Sequence, residues 1–301
     1  MTSLQFFNGF LIAMIVLAGV VCSALFFIDA GYGQYIDNRW GKAINNKAGW
    51  VIMEVPVVIL FFIYWLTSDR RFETTPLVFC LLFNLHYLQR TFVFPLLIRG
   101  NDLMPLSVIL FGMLFNSANA YMQGMWIFHL APADLYTPAW LTTPQFLVGV
   151  AIFLSGFAIN LHADHIIRNL RQPGDTGFHI PTGGLFGYVS AANYFGELTE
   201  WIGWAVMTWS LPGLVFAIWT LANLGPRAHR HHHWYLEKFG DAYPKNRTRM
   251  IPFPDISWIA LLPLLLVSGC GLLMLGAGLF IDDGEVLGWG AMTGLVVTLI
   301  T

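Results

Sequence analysis

The stretch PLVFCLLFNLHYLQRTFVFPLLI, residues 76–98, is long enough to cross the hydrocarbon core of a bilayer, yet it carries Asn84, His86, Tyr87, Gln89 and Arg90 at its centre. A lipid-facing helix does not tolerate that much polarity, so the segment must turn these residues toward the interior of a helix bundle. Tyr87 can donate a hydrogen bond to a carbonyl oxygen there. Arg90, three residues on and nearly on the same face, can meet an anionic group. An interhelical polar cluster that only holds helices together would use the same letters.

The rest of the chain places this stretch among similar ones. Of 301 residues, 56% are hydrophobic and 11% charged, with a mean hydropathy of +0.63, whereas soluble domains are about 25% charged. Further apolar runs cover residues 6–30, 51–67, 106–130, 145–161, 199–211 and 212–224, and two more cover 258–281 and 286–301. The expected fold is an all-α integral membrane protein, a single bundle of seven or more helices without repeats or a soluble domain. The net charge of −2 is uninformative as a total, and no nucleic-acid partner is expected. Cys22, Cys80 and Cys270 each sit in an apolar run, where a thiol behaves as a small hydrophobe rather than a disulfide or redox group. Without a basic segment before it, the run at 6–30 reads as a retained span rather than a cleaved leader.

Basic residues mark the cytoplasmic side. Arg39, Lys42 and Lys47 follow the first run, and eight of the fifteen Lys and Arg residues fall between Arg168 and Arg249. The expected arrangement has an outside N-terminus, with Arg99 and Arg168 at cytoplasmic ends and the acidic turn Asp282, Asp283, Glu285 outside. Arg70 and Arg71 fall on the wrong side of that scheme.

Polar groups in the remaining runs mark a candidate site. Glu54 lies in an apolar helix with no basic residue within a turn, a setting that favours the proton-donating form of a carboxyl group unless it snorkels to the interface. Asn160, Asp164, Arg168 and Arg171 are spaced four, four and three, so they should form one helical stripe able to hold an amide, a ribose and phosphates. An ordinary Asp164–Arg168 pair would use the same spacing. Asn193, Glu197 and Glu200 repeat the pattern on the next span, and Arg227, His231 and Tyr235 share a face after the last. The Gly-rich segment at 181–190 suits close backbone approach to a ligand. His162, His165, His229, His231, His232 and His233 superficially suggest a metal box, but nine histidines in total are too few for a membrane di-iron site, and no catalytic metal is expected.

Several of these residues lie in stretches that resemble the steroid 5α-reductase family: Gly31-Tyr-Gly33, Glu54-Val-Pro56, His86-Tyr87, Arg90-Thr-Phe-Val93, Ile159-Asn160 with Asp164, Leu170-Arg171, Pro173-Gly174 and Ile180-Pro181 with Gly183-Gly-Leu-Phe186. The match continues through Tyr188-Val-Ser190, Asn193, Gly196-Glu197, Glu200-Trp-Ile-Gly203, Thr208-Trp-Ser-Leu-Pro212, Arg227-Ala228, His231-His-His233, Tyr235-Leu236, Tyr243-Pro-Lys245 and Ile251-Pro-Phe253. The resemblance implies a seven-transmembrane-helix fold and NADPH-dependent reduction of the 4,5 double bond of a 3-oxo-Δ4 steroid, such as testosterone or progesterone. By position it implies that Glu54 and Tyr87 hydrogen-bond the 3-keto oxygen. Trp50, Arg90, Asn160, Asp164, Arg171, Asn193, Glu197, Arg227, His231 and Tyr235 would surround the cofactor.

It further implies one membrane-embedded domain over residues 1–257, with a steroid pocket in 1–130 and an NADPH-binding half in 139–257. That half would face the cytoplasm from a bacterial inner membrane or the endoplasmic reticulum, among membrane lipids and without an obligate protein partner. Two departures stand out. Phe178-His179 replaces an aromatic-basic pair before Ile180-Pro181, and residues 258–301 add one or two C-terminal hydrophobic helices. Three other readings use the same letters: a reductase of a polyprenol or trans-2-enoyl thioester, a membrane methyltransferase that uses S-adenosylmethionine, and a non-catalytic sterol carrier.

Overall fold

Side chains that cap helix N-termini set where the helices begin. Thr2 and Gln5 exchange reciprocal side-chain-to-backbone bonds at the start of α1 (Ser3–Phe27), and Asn45 accepts from the Lys47 N–H at the start of α2 (Asn46–Leu66). Thr143 and Ser210, each followed closely by proline, do the same for α6 (Pro144–Arg168) and α8 (Leu211–Phe239). Between them lie α3 (Thr74–Leu88), α4 (Phe94–Leu97), α5 (Leu106–Met125) and α7 (Ala192–Thr208). Two short strands, β1 (Ala43–Asn45) and β2 (Leu103–Pro105), pair antiparallel and tie the starts of α2 and α5 together. This computed structural model describes residues 2–28, 40–100, 102–171, 175 and 177–252. Arg39, the Gly31-Tyr-Gly33 and Pro173-Gly174 stretches, Phe253 and the expected extra segment 258–301 lie outside the described residues.

The chain runs up and down. Phe61 of α2 stacks on Phe83 of α3 at 4.0 Å, while Trp50 meets Phe94 at the opposite end, so these helices are antiparallel. Phe79 meets Phe146 at one end and Arg90 meets Asp164 at the other, which sets α3 parallel to α6. Arg230 of α8 donates to the Leu25 carbonyl of α1. Lys42, Lys47, Arg99 and Arg168 therefore sit at one end of the bundle and Arg70 at the other. Arg70 has a local role there: it pairs with Glu73 and donates to the Ala131 and Pro132 carbonyls beyond the end of α5.

Among the described residues, four helical segments, Ser3–Phe27, Asn46–Leu66, Thr74–Leu97 and Pro144–Arg168, are long and apolar enough to cross a membrane. Phe111, Leu81, Val20 and other large apolar side chains point outward, a surface that only lipid covers readily. The architecture is that of an all-α membrane protein. The expected spans 199–211 and 212–224 differ from the observed α7 and α8. Trp209 adopts a left-handed conformation (φ 46°), Ser210 caps the next helix, and Tyr136 and Trp140 donate to the Thr208 and Met207 carbonyls at the end of α7. These bonds end α7 at Thr208, three residues before the expected span would stop. Past residue 224, α8 continues through Pro226, which removes one bond of its ladder, and ends at Phe239 before Gly240, whose φ is +52°.

The closest contact in the bundle is between α6 and α7. A Cβ on Gly156 would lie 2.2 Å from the Glu200 backbone nitrogen, one on Gly203 would lie 2.3 Å from that of Phe153, one on Gly149 would lie 2.3 Å from that of Met207, and one on Gly196 would lie 2.5 Å from that of Asn160. Four glycines alternate across the seam and let two backbones touch, the small-residue packing that replaces hydrophobic attraction inside a membrane. Gly156→Ala is expected to destabilise the fold by about 1–3 kcal/mol through overpacking. Gly19→Ala, which meets nothing within 4 Å, should be neutral or slightly stabilising. Thermal unfolding midpoints of the two variants in detergent check the contrast.

Candidate functional site

Burying polar side chains costs free energy unless each finds a partner, so the hydrogen bonds of the apolar helices outline the site. Glu54 on α2 is buried, and its Oε2 accepts from the Asn116 amide of α5 at 3.0 Å. Tyr87 on α3 is also buried, and its hydroxyl accepts from the Asn119 amide at 2.8 Å. Asn116 and Asn119 are three residues apart on one helix, so the rise of about 1.5 Å per residue sets the two anchors roughly 5 Å apart along α5. Among the described residues, Glu54 Oε1 and the hydroxyl proton of Tyr87 have no other partner.

The adjacent residues on α3 diverge, as helical geometry requires. His86 Nδ1 lies 2.9 Å from Glu200 Oε1 of α7, a buried pair packed against Trp201. Arg90 turns the other way. The widened turn Gln89–Val93, in which the Phe94 N–H bonds five residues back to Gln89, shifts the register of the helix at this point. Arg90 bonds Asp164 at 3.2 Å, approaches Glu197 at 4.0 Å, and stacks over Trp50 and Phe94 at 4.8 and 4.2 Å. Asn160 donates to the Asn193 carbonyl across the glycine seam at 3.0 Å.

Trp50, Arg90, Asp164, Glu197, Asn160 and Asn193 thus gather at one end of α2, α3, α6 and α7. The sequence suggested an Asp164–Arg168 pair within α6, but the shortest bond of Asp164 is to Arg90 on another helix. The proposed four-residue stripe is also shorter than expected. α6 ends at Arg168, so Arg171 lies past the helix and bonds the Gly177 carbonyl beside Phe178.

On α8, His231 faces Tyr194 at 3.3 Å, and Tyr235 stacks flat on Tyr243 at 5.2 Å. Arg227, His231 and Tyr235 all lie on the continuous helix, four residues apart. His232 contacts Ser190, which also accepts from Tyr243. The Gly-rich segment packs its own backbone against α6: Gly183 and Gly184 have φ of +90° and +51°, and a Cβ on Gly184 would lie 2.6 Å from His162. Its end pairs with Thr248 through two backbone bonds of 2.9 Å. Phe178 meets Trp234 edge to face at 5.0 Å, which gives the departure at 178–179 a packing role; the Gly177 N–H, then His179, hold the Asp175 carboxyl below the usual carboxylate range.

Three site residues escaped the sequence reading: Asn116, Asn119 and Gln123, spaced three and four on α5 within a run taken as plainly apolar. Their helical spacing was the signal that would have found them.

His231 and His232 lie past the apolar part of α8. Burial, then the Arg227 charge, pushes His231 from 6.5 to about 4; burial, then neighbouring His233, pushes His232 to about 4. Between pH 6.5 and 4 the unfolded chain binds protons that the folded one refuses, so stability is full above pH 6.5 and falls as pH drops. The apparent unfolding temperature in detergent should fall from pH 7 to pH 5, and by less in the His231→Gln, His232→Gln double variant; equal falls would contradict the shifts.

With this geometry in place, comparison with known proteins is direct. A sequence profile for 3-oxo-5-alpha-steroid 4-dehydrogenase matches residues 102–254. The chain is 43% identical over 253 residues to 3-oxo-5-alpha-steroid 4-dehydrogenase 1 of Mus musculus, covering 83% of this chain and 95% of the relative. It is 44% identical to the Homo sapiens protein of that name, over 74% and 85% of the two chains. It is 39% identical to steroid 5-alpha-reductase DET2 of Gossypium hirsutum, over 82% and 96%.

Proposed function

Because the chain belongs to the 3-oxo-5-alpha-steroid 4-dehydrogenase family, oxidoreductases that act on CH–CH groups, we propose that it reduces the 4,5 double bond of a 3-oxo-Δ4 steroid with NADPH, inside a seven-span membrane bundle. The observation that carries this reading is the convergence of Glu54 and Tyr87, each anchored on α5 and each with hydrogen-bonding capacity to spare.

The donor set fits the cofactor. The Asn160 and Asn193 amides, the Asp164 and Glu197 carboxylates, and the guanidinium groups of Arg90, Arg171 and Arg227 would supply the amide, hydroxyl and phosphate partners that a dinucleotide needs, and Trp50, His231 and Tyr235 would help to hold it. NADPH held there would supply the hydride that C5 accepts. As C5 gains that hydride, the double-bond electrons move through C4 and C3 onto the ketone oxygen, which becomes an enolate. Glu54 and Tyr87 hold that oxygen and stabilise its growing charge; a proton added at C4 then restores the ketone and completes a product two mass units heavier. Pre-set donors in a buried, water-poor pocket are most effective because they need no reorganisation as charge develops. The basic end of the bundle, with Lys42, Arg99 and Arg168, supports a cofactor half that faces the cytoplasm.

Purified protein with progesterone or testosterone and NADPH should consume cofactor and yield a product heavier by two mass units. Glu54→Gln and Tyr87→Phe should each lower kcat by about 100- to 1000-fold. Binding of S-adenosylmethionine instead of NADPH, or steroid binding without cofactor consumption, would overturn the reading; turnover of a polyprenol or enoyl thioester in place of steroid would move it to another conjugated lipid.

A further inference from the structure

The hydrogen bonds behind Tyr87 have a fixed direction. Trp204 Nε1–H can only donate, so it sets Gln123 with Oε1 toward it, 2.9 Å away. The Pro212 carbonyl can only accept, and it takes Gln123 Nε2 at 2.9 Å. With its amide held at both atoms, Gln123 meets Asn119 through Nε2, which donates to Asn119 Oδ1 at 3.3 Å. Asn119 must then present Nδ2 to Tyr87, and it does, at 2.8 Å. All of these groups are buried, so water does not compete for them.

From this polarised chain we infer that Asn119 and Gln123 are positioning residues that commit Tyr87 to donate toward the substrate carbonyl. A tyrosine hydroxyl next to an amide can act as donor or acceptor, and an asparagine free to flip would offer its oxygen and draw the phenolic proton away from the pocket. The Trp204 and Pro212 ends forbid that flip. Among the described residues only the acceptor side of the Tyr87 oxygen is used, which leaves its proton for the ligand. The inference rests on the proposed role of Tyr87 and adds which residues enforce it.

Asn119→Asp tests it, because an ionised carboxylate only accepts and would capture the Tyr87 proton. Its kcat should fall about as far as that of Tyr87→Phe, on the order of 100-fold. In a double-mutant cycle the Tyr87→Phe, Asn119→Asp protein should be within about twofold of Tyr87→Phe alone, because Asn119 then has no hydroxyl to orient. Additive losses in the cycle would overturn the inference, as would a wild-type kcat for Asn119→Asp beside a crippled Tyr87→Phe. If Tyr87→Phe itself keeps full kcat, the fault lies in the role given to Tyr87, and the inference falls with it. Should Asn119→Asp fail to fold by thermal unfolding, Gln123→Met, which keeps volume but cannot orient Asn119, replaces it in the same cycle, with a loss of about tenfold expected and non-additivity again the deciding result.

Discussion

Two helices touching backbone to backbone is the constraint on which the rest of this protein depends. The glycines at 149, 156, 196 and 203 let α6 and α7 approach until a single methyl group at any of them would clash with the partner. Across that seam Asn160 reaches the Asn193 carbonyl, and one turn further Asp164 and Glu197 flank Arg90. Along the same helix α7, Glu200 reaches His86 and Trp204 reaches Gln123. A wider spacing would separate the polar ends that meet around Arg90 and leave charged groups buried without partners, which costs several kcal/mol for each.

α5 plays the complementary part on the front of the molecule. It packs on α2, where Gly112 and Gly124 admit Met53 and Tyr64, and it anchors Glu54 and Tyr87 from one face. The proposed reaction needs fixed donors where charge will develop and a separate region where a dinucleotide lies. The molecule separates these duties in space: amides hold the pair on α2 and α3, while Arg90, at the widened turn of the same helix, faces the carboxylates of α6 and α7. One helix thereby links both halves, with Tyr87 and Arg90 three residues apart.

Much of this was legible in the sequence for a simple physical reason. A Glu, Arg or Asp in an apolar helix is so costly that it announces a site, which is why Glu54, Arg90 and Asp164 could be picked out. Asparagine and glutamine cost less and dilute hydropathy only slightly, so Asn116, Asn119 and Gln123 passed as part of an ordinary span. Spacing alone also could not decide between partners on one helix and partners on another; Asp164 bonds Arg90 rather than Arg168 because of how α3 and α6 pack. The boundary between α7 and α8 was misjudged because it depends on a left-handed Trp209 and on Tyr136 and Trp140 reaching in from a distant loop.

The central claim is that hydride passes to C5 of a steroid whose 3-keto oxygen is held by Glu54 and Tyr87. Single-turnover reaction with NADPH deuterated at the transferring C4 position tests it most directly. The account predicts one deuterium at C5 of the product and an unlabelled C4 in ordinary water. Deuterium at C4, or a product that carries none, would contradict it.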